Sequence, residues 1–189
     1  MRIQEIITES VNKVVYRVDS KPIEDFSNLN PYKHTDDWSQ SGLDTGDDSY
    51  WKEKNITPKT SRGLFAFGDK KRTALYATGN ANQTRYVEYT ENGKSYVFFD
   101  KKDVPILSKR KTYLTTFDAK NFKQVPSGEF FSTNPGKPVK QETITDPFAY
   151  IRQQGWNIVE VDDLKAVLKD AIQKKEEGKI LRYGAEGMN

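Results

Sequence analysis

Apolar positions recur along this chain with two periods, one of three to four residues and one of two, and the change between them separates helices from strands. Ile3, Ile6, Ile7 and Val11 carry the longer period and predict a short helical arm over residues 1–12. From Lys13 to Val18 the pattern turns β-branched and aromatic, with Val14, Tyr16 and Val18 on one face and Val15 and Arg17 on the other. A first strand that displays Arg17 is expected there. Ser20 to Thr60 loses periodicity and gathers Asp36, Asp37, Asp44, Asp47 and Asp48, which predicts a long acidic loop region. Tyr32, Trp38, Tyr50 and Trp51 give that loop apolar surface with which to fold back onto the body.

Gly63 to Phe67 is a short apolar strand, and Lys70 to Ala77, rich in good helix formers, is read as a helix stopped by Gly79. Arg85 to Tyr89 and Ser95 to Phe99 flank Glu91-Asn92-Gly93-Lys94, and the Asn-Gly pair marks a hairpin because both residues tolerate positive φ. Lys111 to Phe117 and Glu129 to Ser132 read as further strands, Phe148 to Gln153 as a short helix, and Asn157 to Val161 as a last strand. Asp162 is expected to cap a helix over residues 162–178, with Leu164, Val167, Leu168, Ala171 and Ile172 on one stripe and Gly178 at its end. Lys165, Lys169, Lys174 and Lys175 then form its wet face. No repeat or composition break divides the chain, so residues 1–189 are expected to form one α+β domain.

Composition narrows the chemistry. Cysteine is absent and His34 is the sole histidine, which argues against thiol nucleophiles, Ser-His-Asp hydrolysis and Cys- or His-built zinc sites. No metal is expected; carboxylates, Arg, Tyr, Ser and Thr are left to act, with a borrowed small molecule. His34 itself, within the acidic loop, reads as a surface residue. A net charge of +3 does not by itself call for nucleic acid. Lys101, Lys102, Lys109, Arg110 and Lys111 form a local basic cluster, which is either a solvated loop or a weak contact to phosphate. No apolar run is long enough to span a bilayer and MRIQEIITES lacks a signal core, so no membrane partner and a cytoplasmic location are expected.

The densest signal runs from Ser61 to Ala77. A Gly-led strand, Gly63-Leu64-Phe65-Ala66-Phe67, leads through a polar turn into Thr73-Ala74-Leu75-Tyr76-Ala77. This resembles the ADP-ribosyltransferase family, in whose poly(ADP-ribose) polymerase branch a Gly-Ile-Tyr-Phe-type strand precedes a helix bearing Ser-x-x-Tyr. Gly63, Phe65, Thr73 and Tyr76 fall on those positions without gaps. The resemblance implies split, twisted β-sheets with flanking helices and a cleft for NAD, which is the substrate. It implies that Phe65 and Tyr76 sandwich the nicotinamide ring and that Thr73 hydrogen-bonds its carboxamide. Val15-Tyr16-Arg17-Val18-Asp19 resembles the family's Arg-bearing first strand, which implies cofactor contacts from Arg17 and Val18. Pro126-Ser127-Gly128-Glu129-Phe130-Phe131 resembles its catalytic strand and gives Glu129 the acid position. Ser127 stands where arginine-modifying members place Glu or Gln, which leaves the acceptor, protein or nucleic acid, open. The opening MRIQEIITES is similar to the starts of short proteins of large tailed phages, which implies the host cytoplasm.

Plainer readings stand beside these. Any buried strand followed by its packing helix looks like Gly63 to Tyr76, Arg17 and Asp19 suit an ordinary ion pair, and Glu129 suits a solvated strand face. A catalytically inactive domain of the same fold, or a phage structural protein that binds a protein partner, is the alternative function.

Overall fold

The computed structural model describes residues 14–22, 64–79, 84–125, 128–132 and 134–188. The expected helical arm, nearly all of the acidic loop with His34, and Gly63 and Ser127 lie outside the described residues. Among the described residues, ten strands and four α-helices make a mixed α+β architecture of several sheets.

β1 (Val14–Asp19), β5 (Thr112–Asp118) and β8 (Lys140–Ile144) form one antiparallel sheet with β5 in the middle. β2 (Leu64–Ala66), β7 (Phe130–Ser132) and β6 (Lys123–Gln124) form a second, in the order β2-β7-β6. A bridge joins them edge to edge, since Tyr16 and Phe67 exchange both backbone bonds at 2.8 and 2.9 Å. The third sheet runs β10 (Tyr183–Glu186), β3 (Tyr86–Glu91), β4 (Lys94–Asp100), β9 (Trp156–Val161), with only the β4–β9 pair parallel. Asn92 and Gly93, at φ 51° and 75°, make the expected hairpin turn between β3 and β4.

The predicted helix over Lys70 to Ala77 is two pieces. α1 (Lys70–Thr73) is capped by Asp69, and the chain then tightens into a 3₁₀ turn over Ala74–Thr78. α2 (Val104–Leu107), β8 and β10 carry no strong periodic signal and were not anticipated. α3 (Pro147–Gln153) and α4 (Leu164–Glu176) fall where the pattern put them. The cap of α4 is a correction: Asp163, not Asp162, accepts the Ala166 amide, while Asp162 turns outward to Lys101 at 3.0 Å.

The largest core cluster lies between the β3–β4 and β5–β8 layers. It joins Tyr86, Val97 and Phe99 to Leu114, Ile144, Phe148 and Ile151, with Ala74 and Leu75 of the 3₁₀ turn. α4 covers the opposite face of the third sheet through Val87, Tyr89, Leu164 and Ala171. Val15, Leu64, Ala66, Phe117 and Ala119 pack behind the other two sheets. Both faces of β1 and β2 are therefore covered, and they read as apolar runs rather than as an alternation.

Candidate functional site

β1, β2 and β7 lie side by side, β2 paired with β7 and followed by the bridge to β1. Phe65 pairs with Phe131 and Ala66 with Phe130, the last pair of the ladder, after which Phe67 follows on one strand and Glu129 precedes on the other. Phe67 is in turn bridged to Tyr16. Because side chains alternate along a strand, Phe67 shares one face with Phe65 and, through the bridge, with Tyr16, and Phe131 continues it. Phe65 and Phe131 are in ring contact at 5.0 Å, tilted by 52°. Tyr76, from the 3₁₀ turn, stacks on Phe67 with centroids 5.4 Å apart and planes 22° apart. The Arg72 guanidinium lies 5.7 Å from the Phe67 ring centroid.

Glu129 stands at the mouth of β7, half-buried, where Gly128 at φ 85° turns the chain. Its carbonyl accepts the Val125 amide at 2.8 Å, so backbone bonding fixes the position. A single left-handed residue there is cheap only for Gly.

Arg17 sits on the opposite face, beside Val15. Its Nε donates to both Asp19 carboxylate oxygens at 2.9 Å, its Nη2 lies 2.7 Å from Asp19 Oδ1, and its Nη1 donates to the Phe65 carbonyl at 2.9 Å. The guanidinium thus closes the gap where β1 and β2 part. The ordinary ion-pair reading of Arg17 and Asp19 is the one the geometry shows; the residue is held, with its side chain 12% exposed, rather than displayed. Val18 packs against the main core. Thr73 is fully buried, and its hydroxyl donates to the Asp69 carbonyl at 2.7 Å, a bond within its own helical turn.

Sequence reasoning did not single out Phe67 as the ring against Tyr76, nor the groups beyond it. Tyr86 and Glu88 on β3 share a face with Gly184 and Glu186 on β10, through the pairs Tyr86–Glu186 and Glu88–Gly184. Burial pushes the Glu88 and Glu186 carboxyls above the ordinary range, opposed at Glu88 by Arg182, Arg72 and Lys71. The Tyr86 hydroxyl is pushed well up by burial first, then by Tyr76, Glu186 and Glu88. Glu88 lies across Gly184, where a Cβ would meet its Oε1 at 2.5 Å. Alternation in β3 was the available signal for Glu88, but β10, which supplies the other half, was not legible.

Two lysines of the basic cluster are paired with carboxylates. Lys101 pairs with Asp162 and Lys102 with Asp100, both at 3.0 Å, and the Arg110 guanidinium donates to the Thr78 carbonyl and, at 3.1 Å, to the Thr84 hydroxyl. Among the described residues no helix is long and apolar enough to cross a membrane, and no three His, Asp or Glu side chains group as metal ligands. No family model, no curated protein and no solved structure matches the chain.

Proposed function

We propose that the chain transfers ADP-ribose from NAD to a macromolecular acceptor, protein or nucleic acid, with release of nicotinamide. One observation supports this reading: Glu129 directly precedes β7, the partner strand of β2, and Phe67, which directly follows β2, stacks on Tyr76. A flat cationic ring is bound well by an aromatic face, and a carboxylate next to it suits the charge that develops when the ring leaves. The C1′–N bond of the nicotinamide ribose breaks and its electron pair goes to the ring nitrogen, which neutralises the pyridinium. Glu129, holding the ribose 2′-hydroxyl, stabilises the positive charge left on C1′ and O4′ more than it stabilises the ground state. The acceptor nucleophile then bonds to C1′ and gives its proton to solvent. Arg17 acts in this scheme from behind, by fixing the Phe65 carbonyl and so the edge of β2.

A second reading has its own support. Phe67 and Tyr76 are already in ring contact, so a nicotinamide ring enters by displacing Phe67 or by taking the other face of Tyr76. A closed stack is what a catalytically silent, protein-binding domain of this architecture would keep. Nicotinamide release from NAD, with and without cell lysate as acceptor, separates the two. Wild type is expected to turn over and Glu129→Gln to lose about 10²–10³-fold, the usual worth of one electrostatic stabiliser. Absence of both turnover and NAD binding in the wild type refutes the transferase reading and favours the silent one.

A further inference from the structure

The third sheet ends on β10, which pairs with β3 alone, and among the described residues no backbone group bonds to its outer side. Every second residue of such a strand points its N–H and C=O away from the neighbour it already has, so β10 keeps a row of donors and acceptors for one more strand. Edge strands are commonly blunted by lysine, proline or a bulge. The residues of β10, Tyr183-Gly184-Ala185-Glu186, include neither lysine nor proline, and they pair with β3 without a bulge. Leu181, just ahead of the strand, is 96% exposed and lies beside anything laid along this edge.

The sequence along that edge is complementary to itself. When two copies of one strand pair antiparallel about a two-fold axis, residues equidistant from the axis face each other, and every contact is made twice. With Gly184 on the axis, Tyr183 faces Ala185 of the second copy, a large side chain beside a small one. Arg182, which directly precedes β10, then meets Glu186 of the second copy, cation against carboxylate on one face of the sheet. Gly184 has no side chain to hold the two backbones apart. Arg182 is exposed and Glu186 half-buried, and among the described residues neither makes an ion pair, although the charge of Arg182 reaches Glu88 in its own chain. The other edge of the same sheet lacks this property, since β9 carries Glu160 and no cation to meet it. On β8 the opposite charges are already spent, Lys140 lying 3.0 Å from Glu142 within one chain. We propose that β10 is a homodimer interface, pairing antiparallel with β10 of a second copy about Gly184 and joining the two four-stranded sheets into one, with Arg182 and Glu186 as its reciprocal ion pairs. This inference is independent of the transferase reading.

Sedimentation equilibrium of the full chain, followed from dilute to millimolar protein, tests it. Wild type is expected to pass reversibly from monomer to dimer. Arg182→Glu sets carboxylate against carboxylate twice and Glu186→Lys sets cation against cation twice, so each is expected to weaken the dimer about tenfold or more. An equimolar mixture of the two variants is expected to associate within about threefold of wild type, because each contact between unlike chains again joins opposite charges. Variants that had merely failed to fold could not rescue each other in this way. Amide hydrogen exchange is expected to show residues 183–186 gaining protection as the concentration rises. A dimer indifferent to both charge reversals, a mixture no better than either variant alone, or a dimer whose β10 amides gain no protection each overturns the proposal. So does a wild type that stays monomeric at millimolar concentration, which would leave the edge to a strand of another protein.

Discussion

Arg17→Met separates a structural arginine from a ligand-binding one. Methionine keeps much of the apolar stem while removing the guanidinium, so the loss reports the polar contacts. Those are the bonds to both Asp19 oxygens and the bond from Nη1 to the Phe65 carbonyl, at 2.7–2.9 Å, between side chains 12% and 7% exposed. Breaking a buried pair by removing one partner costs about 3–5 kcal/mol. Asp19 keeps further interactions, so the lower end applies, about 3 kcal/mol. In a chain of this size each kcal/mol moves the melting temperature by about 2–4 °C, which gives a fall of about 6–12 °C. Thermal melts of the ligand-free protein measure it directly. Asp19→Asn in a double-mutant cycle should return a coupling of about 1.5 kcal/mol or more, little changed by salt because the pair is shielded from water. Arg17→Lys should restore only part of the loss, since one ammonium cannot reproduce a forked contact to a carboxylate and a carbonyl. A melt within about 2 °C of wild type, with NAD binding abolished, would show that the arginine is held for a ligand and not for the strand edge.

Other expectations follow from the same geometry. Glu88 has its carboxyl pKa raised from 4.5 by burial, so the native state binds more protons than the unfolded chain above that value. Stability should therefore fall as pH rises from 4.5 through the raised native value, and Glu88→Gln should exceed wild type in urea denaturation at neutral pH, the gap closing below pH 4.5. Gly93→Ala should lose about 1–2 kcal/mol in the same assay through backbone strain alone, because φ is 75° and an added Cβ meets no atom. Asp163→Ala should lose about 1 kcal/mol with the cap of α4, measured by chemical denaturation, and should destabilise more than Asp162→Ala. An equal or reversed order would put the cap back at Asp162.

The parts of this fold legible in the sequence are those whose cause is local. The β3–β4 hairpin follows from Asn92-Gly93 between two β-rich runs, and α4 from an apolar stripe ended by Gly178 at φ 72°. Asp162 and Asp163 show the limit of local reasoning. Both are cap residues by type, and only the path of the chain out of β9 decides which side chain reaches the Ala166 amide. β8 and β10 are polar or Gly-containing strands at sheet edges, stabilised by pairing with β5 and β3 rather than by their own composition, so nothing in their residues announces them.

The candidate site divides in the same way. Its residue types, the Gly63 to Tyr76 pattern, Arg17 and Glu129, are present in the one-dimensional chain. Their arrangement is not. That Glu129 comes to the end of β2, whose residues lie more than sixty positions earlier, is a consequence of the β2–β7 pairing. That Tyr16 rather than Arg17 shares the face of Phe67 depends on which side of β1 meets which core, and both sides are buried. Period and turn chemistry act between near neighbours and so can be read from sequence. Register, the choice of face and the meeting of Tyr16, Lys70 and Glu142 depend on contacts between distant segments, and those exist only once the layers have packed.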